Sequence, residues 1–217
     1  MKFKPEMLHC YLIGGSQDCH QSPEELVMKV KQALKAGITA FQYREKGSSQ
    51  LNYQEKIQLG FSLKNLCHTY RVPFFVDDDF QLATKLQADG IHVGQKDQPI
   101  KTIIAAANSE MMVGYSCHTI AQVKQANSLA VDYLGSGPIF PTHSKDDADE
   151  AIGITGLREL TAVSQHPIVA IGGITEKNVD EILSTDVAGC SMISMILQSS
   201  DITSTVQTVR RLTDKRK

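Results

Sequence analysis

Two short runs of charged residues carry the first chemical signal in this chain. Gln42-Tyr43-Arg44-Glu45-Lys46 closes one apolar run, and Asp77-Asp78-Asp79 closes another. An arginine fork and a lysine point charge suit a phosphate or diphosphate. If the first run continues as extended chain, alternation puts Gln42, Arg44 and Lys46 on one side. The bland alternative is a strand end running into solvent. Three successive acids repel one another unless a cation joins them, and Mg2+ prefers one or two carboxylates plus substrate phosphate oxygens. Asp79 reads as the N-cap of the segment Phe80–Leu86, and Asp78 as the metal ligand. Asp97, in His92-Val93-Gly94-Gln95-Lys96-Asp97, offers a second carboxylate to the same ion. His92 alternates with Ile91 and Val93, and reads as a satisfied core histidine.

Further along stand Ser116, Cys117 and His118. A Cys–His pair invites a nucleophile reading. Adjacent residues of a strand point opposite ways, however, so a single hydrogen bond from Ser116 to a ligand is the better expectation. Next comes Gly135-Ser136-Gly137-Pro138-Ile139-Phe140-Pro141-Thr142-His143-Ser144-Lys145, a stiff loop whose hydroxyls and Lys145 suit a phosphate. Ile171-Gly172-Gly173-Ile174 bares backbone N–H groups, and Ser194, after Met192-Ile193, lies near a helix start.

These groups need a scaffold that brings their loops together. Short apolar runs alternate with amphipathic segments along the chain. Strand-like runs are Leu8–Ile13, Ile38–Tyr43, Pro73–Asp77, Gly90–Val93, Met112–Tyr115, Tyr133–Gly135, Ile168–Ile171 and Gly189–Ile193. Several are apolar throughout, as strands buried on both faces should be. The first helix is well signalled: Ser22 as N-cap, Pro23 at the first helical position, Glu25 completing a capping box and Gly37 as terminator. Thr175 reads as the cap of a helix carrying Val179, Ile182 and Leu183, and Ile202, Val206 and Val209 mark the last helix.

Eight β–α units in 217 residues predict one α/β domain over 1–217, a (β/α)8 TIM barrel. An open doubly wound sheet is the runner-up, disfavoured by the strand count and by the lack of a Gly-rich turn after the first strand. In a barrel the chemistry sits at the C-terminal strand ends, and the loops after the seventh and eighth strands form a recurrent phosphate site. The least regular stretch, Pro138–Ile154, reads either as an active-site flap or as plain surface. Together the strand ends imply a phosphate cradle, a cationic cluster and a Mg2+ site, hence two phosphorylated small-molecule ligands.

The bulk numbers fit that picture. Apolar residues make up 41% of the chain, charged residues 21%, and the net charge is −2. No basic balance favours nucleic acid or an anionic membrane. The basic residues Arg210, Arg211, Lys215, Arg216 and Lys217 read as a solvated last helix turn, where cations suit the helix dipole. No apolar stretch approaches the roughly 20 residues of a membrane span, and no signal-peptide pattern is present. Five cysteines, odd in number and without a CxxC, predict free thiols in a reducing, cytoplasmic setting. Homo-oligomerisation is left open.

One family matches this order of motifs. Gln42–Lys46, Val76–Asp79, Ala88–Gln95 with Asp97, Gly114 with Ser116, Gly137–Thr142 with Lys145, Ala170–Ile174 and Ser191–Ser194 together closely resemble the thiamine phosphate synthases, from about Tyr11 to Ile196. The resemblance implies a transferase that joins a hydroxymethylpyrimidine diphosphate to a thiazole phosphate, releasing diphosphate in a dissociative, Mg-assisted substitution. Carried over by position, Gln42, Arg44 and Lys46 would hold the pyrimidine diphosphate, flanked by Tyr43, Glu45 and Asp77. Asp78 and Asp97 would bind Mg2+, Ser116 would sit near the pyrimidine, and Lys145 would bind the diphosphate. Thr142, His143, Ser144, Gly172, Gly173, Ile193 and Ser194 would surround the thiazole phosphate. Arg44, Lys46 and Lys145 would be the catalytic cations.

Three positions depart from the family pattern. Asp77 replaces Asn and would bring negative charge toward the diphosphate, Ser144 replaces Thr, and Tyr115 replaces a small or aliphatic residue and would narrow the pyrimidine pocket. Two alternatives share the fold: a thiazole tautomerase-like paralogue with His118 as acid/base, and a non-catalytic barrel that binds thiamine precursors. Arg44, Lys46, Asp78, Asp97 and Lys145 speak against the first, while Asp77 would favour the second.

Overall fold

A parallel sheet covered by helices buries both faces of its strands, which is why the apolar runs of this chain become strands. The computed structural model describes residues 2–142, 144 and 150–215. Its strands are β1 (Cys10–Gly14), β2 (Ala40–Tyr43), β3 (Phe74–Asp77), β4 (Gly90–Val93), β5 (Met112–Ser116), β6 (Tyr133–Ser136), β7 (Ile168–Ile171) and β8 (Gly189–Met192). They pair in chain order, all parallel, and close into a barrel. Closure is made by β1 on β8, with Cys10 beside Cys190 and Leu12 beside Met192. The expected TIM barrel is therefore the observed one.

Among the described residues, the outer layer consists of α1 (Pro23–Ala36), α2 (Tyr53–Thr69), α3 (Phe80–Leu86), α4 (Ile100–Ala107), α5 (Ile120–Ala126), α6 (Gly153–Val163), α7 (Val179–Leu183), α8 (Ser194–Leu197) and α9 (Ile202–Asp214). The start of α1 follows its sequence signal: the Glu25 N–H donates to Ser22 Oγ at 3.1 Å. The reciprocal half of the box does not form, because the Ser22 N–H donates to the Cys19 carbonyl and Glu25 turns to Lys29 and His20. Gly37, at φ 106°, ends the helix as expected. The side chain of Thr175 caps nothing at α7; its N–H donates instead to Asn178 Oδ1 at 2.8 Å.

Some strand limits move for local reasons. Pro5–Leu8 winds into a 3-10 turn, so β1 begins at Cys10 rather than Leu8. The Ile38 N–H is committed to the Ala33 carbonyl at the end of α1, which delays β2 to Ala40. Ile193 serves as the N-cap of α8, which ends β8 at Met192.

The barrel interior is largely aromatic at its N-terminal end. Tyr11, Phe75 and Tyr133 converge with ring centroids 5.5 to 6.1 Å apart. Phe3, ahead of β1, stacks on Tyr133. This plug closes one end of the barrel and leaves the C-terminal end for the site.

Candidate active site

A cleft opens at the C-terminal strand ends, and residues from most of the strand-end loops line it. On one side stand Arg44, Lys46, Asp77, Asp78, Lys96 and Asp97; on the other stand Thr142, Ser144, Gly172, Gly173, Ile193 and Ser194, with His92, Ser116 and His118 also lining it. Among the described residues, the sequence-predicted groups thus meet in one place, with three exceptions.

Gln42 does not reach the cleft. It is buried inside the barrel, where its Nε2 donates to the Tyr11 hydroxyl at 3.0 Å. Tyr43 points the other way, into the helical layer, stacking on Phe74 and donating its hydroxyl to the Lys56 carbonyl. Alternation along β2 requires this, since neighbours of an inward Gln42 must face outward. Glu45 faces a neighbouring loop and accepts hydrogen bonds from the Ser16 N–H and from the Ser16 and Ser49 hydroxyls. It organises that loop and does not line the cleft. His143 and Lys145 lie outside the described residues, as do Asp146, Asp147, Ala148 and Asp149 of the expected flap.

The charged side is tightly paired. Arg44 Nε lies 3.1 Å from Asp77 Oδ2, and both side chains are almost fully buried. Asp77 therefore does not bring uncompensated negative charge to the cleft, because the neighbouring strand answers it with a guanidinium. Lys46 Nζ donates to Asp78 and lies 3.4 Å from Asp97 Oδ1. Burial works against the Lys46 ammonium, but Asp78, Asp97 and Asp77 outweigh it and hold its pKa above the ordinary value.

Asp78 adopts a left-handed φ of 57°, a costly conformation for a non-glycine residue of the kind that clusters at functional sites. Its N–H donates to the His92 carbonyl at 2.8 Å, which ties it to the end of β4. Burial first, then hydrogen bonding with Asp97 and the charge of Asp77, pushes the Asp78 carboxyl up to about 7. Asp97 moves the other way: burial raises it, but bonds from Asp78, the Gly94 N–H at 2.7 Å and Lys46 prevail. Two carboxylates in contact with each other and with one ammonium are a hard-oxygen donor pair that a divalent cation fits. Among the described residues no group of three or more His, Cys, Asp or Glu side chains is placed to hold a metal. A cation here would therefore complete its shell with substrate oxygens or water. Asp79 is the helix cap it was expected to be, accepting from the Leu82 N–H at 2.9 Å.

Among the described residues, the opposite side is built without charged side chains. Ser144 Oγ donates to Ser194 Oγ at 3.2 Å, and the Ser144 N–H donates to Thr142 Oγ1 at the same distance. The loops after β6 and β7 are joined through their backbones: the Ile139 N–H donates to the Ile171 carbonyl, and the Phe140 N–H to the Gly172 carbonyl. Gly173 has a φ of 65°, and a Cβ there would lie 2.6 Å from the Phe140 carbonyl oxygen. The glycine pair thus serves loop packing as well as access to the cleft.

Three other expectations are settled by placement. His92 is satisfied, as expected, but it lines the cleft, with Nε2 2.9 Å from Ser116 Oγ. Only its hydrogen bonds to β5 and β6, remote in sequence, reveal this, and no local motif would. Cys117 is buried and does not line the cleft, and burial pushes its thiol up to about 12, which speaks against a nucleophile. His118 Nδ1 is engaged by the Gly137 carbonyl. Tyr115 does not line the cleft, since β5 turns Ser116 inward, and so it does not narrow the pocket.

Comparison with known proteins shows the family of the chain. The family model described as thiamine monophosphate synthase matches residues 10–196. A thiamine-phosphate synthase of Limosilactobacillus fermentum is 55% identical over 98% of this chain and 100% of its own length. One from Limosilactobacillus reuteri is 48% identical over 98% and 99%. The solved thiamine phosphate pyrophosphorylase of Pyrococcus furiosus superposes with a TM-score of 0.86 at 33% identity, covering 97% of this chain and 98% of that one.

Proposed function

Because this chain belongs to the thiamine monophosphate synthase family and has that family's synthase function, we propose that its cleft takes a hydroxymethylpyrimidine diphosphate on the charged side and a thiazole phosphate on the neutral side. The observation that carries this reading is the division of one cleft into two halves of opposite character.

In the proposed reaction the bond between the pyrimidine methylene and the diphosphate breaks, and the thiazole nitrogen forms the new bond to that carbon. Negative charge grows on the departing diphosphate, so catalysis needs fixed positive charge and close positioning more than a general base. Arg44 and Lys46 supply that charge, and Lys145 joins them by its position in the family pattern. Asp77 holds the Arg44 guanidinium against rotation. Asp78 and Asp97 would hold Mg2+, which when bound adds positive charge against the diphosphate oxygens. Ser116 contacts the pyrimidine. Thr142, Ser144 and Ser194 donate hydroxyl hydrogen bonds to the thiazole phosphate, with the Gly172–Gly173 backbone alongside.

The substrates are soluble metabolites. All five cysteines are buried free thiols, which supports a reducing, cytoplasmic setting; no helix among the described residues is long and apolar enough to cross a membrane. The test is direct: supply both precursors with Mg2+ and measure thiamine phosphate. Formation of product from the pair and from neither alone is expected; release of diphosphate without coupling would overturn the two-substrate reading.

A further inference from the structure

Below the cleft, five polar side chains touch end to end through the barrel interior. Gln42 Nε2 donates to the Tyr11 hydroxyl at 3.0 Å, and that hydroxyl lies 3.0 Å from the Tyr133 hydroxyl. The Tyr133 hydroxyl lies 3.1 Å from His92 Nδ1, and His92 Nε2 lies 2.9 Å from Ser116 Oγ. The members come from β2, β1, β6, β4 and β5, so the chain spans the barrel. Gln42, Tyr11 and Tyr133 are at most 1% exposed, and only His92 and Ser116 reach the cleft. The backbone makes room for this arrangement at Gly114, where a Cβ would lie 2.5 Å from both His92 Nδ1 and the Tyr133 hydroxyl.

A hydroxyl has one proton to give, so a chain of this kind has a direction. Burial raises both phenols well above the ordinary tyrosine value and keeps them protonated. Tyr11 accepts from Gln42 and must give its proton to Tyr133. Tyr133 accepts that proton and must give its own to His92 Nδ1. A neutral imidazole then carries its hydrogen on Nε2 and donates it to Ser116 Oγ. The Ser116 proton is left to point into the cleft. The direction starts at the Gln42 amide, whose Oε1 has no partner while its Nε2 serves Tyr11.

We infer that Tyr11, Tyr133 and His92 are positioning residues that set the proton polarity of Ser116, so that the cleft offers the pyrimidine substrate a hydrogen-bond donor for a ring nitrogen. This rests on the placement of the pyrimidine beside Ser116. Reversing the Gln42 amide would reverse every link. Ser116 would then spend its proton on His92 and select an amino group instead.

The tautomer of His92 is measurable without any ligand. In ligand-free enzyme carrying 15N-labelled histidine, with His92 identified through His92→Asn, NMR should show the proton on Nε2. Tyr133→Phe, which keeps the ring packing, should abolish that preference. It should also raise KM for the pyrimidine diphosphate roughly fivefold to tenfold, the scale of one neutral hydrogen bond, and leave KM for the thiazole phosphate alone. In a Ser116→Ala background the same change should add nothing. Should Tyr133→Phe fail to fold, Tyr11→Phe breaks the chain one link earlier, and the tautomer of the unaltered enzyme decides the matter alone. A proton on Nδ1 overturns the inference, as does a Tyr133→Phe penalty that persists in full without the Ser116 hydroxyl. If Ser116→Ala by itself left the pyrimidine KM unchanged, the substrate placement would fall, and with it the ligand half of the inference; the tautomer would stand.

Discussion

The two halves of the cleft solve one problem, holding a phosphorylated ligand, by different means. At the ends of β2 to β4 the work is done by charged side chains already committed to one another: Arg44 to Asp77, and Lys46 to Asp78 and Asp97. At the ends of β6 to β8, no charged side chain is among the described residues lining the cleft; hydroxyls and backbone form that wall. A pre-paired charged wall can respond when a ligand changes charge, because its ion pairs exchange partners. A wall of hydroxyls and amides is complementary to a phosphate that stays phosphate throughout. The contrast suits a reaction in which one ligand loses its diphosphate and the other keeps its phosphate.

Four experiments would break or sharpen that contrast. The largest effect is expected from the charged half. Chelation of divalent cations, or Asp78→Ala, should lower turnover by about a thousandfold or more, in line with the several kcal/mol a metal contributes to developing charge. Full activity in excess chelator would remove the metal from this half. Next, Lys145→Ala should slow a single turnover about a hundredfold, as loss of one oriented charge or donor does. Thiazole phosphate binding should hardly change; if it weakened strongly, Lys145 would belong to the neutral half. Third, Ser194→Ala should raise KM for the thiazole phosphate roughly tenfold to a hundredfold, the scale of a hydrogen bond to a charged group. An equal rise in KM for the pyrimidine diphosphate would mean that the halves are not separate. The smallest effect is expected from Asp77→Asn, which removes the charge opposing Arg44 but keeps a hydrogen-bond acceptor. Pyrimidine diphosphate affinity should rise by about twofold to fivefold, small because the amide keeps a hydrogen bond to the buried guanidinium and only the charge is lost. Weaker Mg2+ binding instead would make Asp77 a third metal ligand.

The barrel itself was legible because its signal is local. Apolar runs of strand length, Ser22 before Pro23, and Gly37 after Leu34 each depend on a few neighbours, and each marks its element, with strand limits at most two residues away and only the Ser22 half of the capping box formed. Asp79 as a cap is equally local. The cleft was legible where residues follow strand alternation from the end of a strand, as Arg44 and Ser116 do. It was misread where a contiguous motif was taken whole. Tyr43 and Glu45 sit between the inward residues, and a chain in extended form cannot aim neighbours at one point. Gln42 faces inward, as alternation predicts, but lies below the cleft, because the sequence does not show how far below the rim a strand residue lies. The partner of Asp77 was hidden for another reason. Arg44 is distant in sequence, and only the register of β2 on β3 brings the two together.

The backbone joint between the loops after β6 and β7 has a consequence for how this enzyme can vary. Pro138 and Ile139 also receive the chain on its return, accepting from the Ile152 N–H at 2.9 Å and the Gly153 N–H at 3.0 Å. The chain therefore leaves the barrel after Ile139 and returns at Ile152 on one anchored pair of residues. The closure cost of such a segment rises only with the logarithm of its length. The length of chain between those anchors can therefore change at little cost to the barrel, while β6 and β7 keep their register.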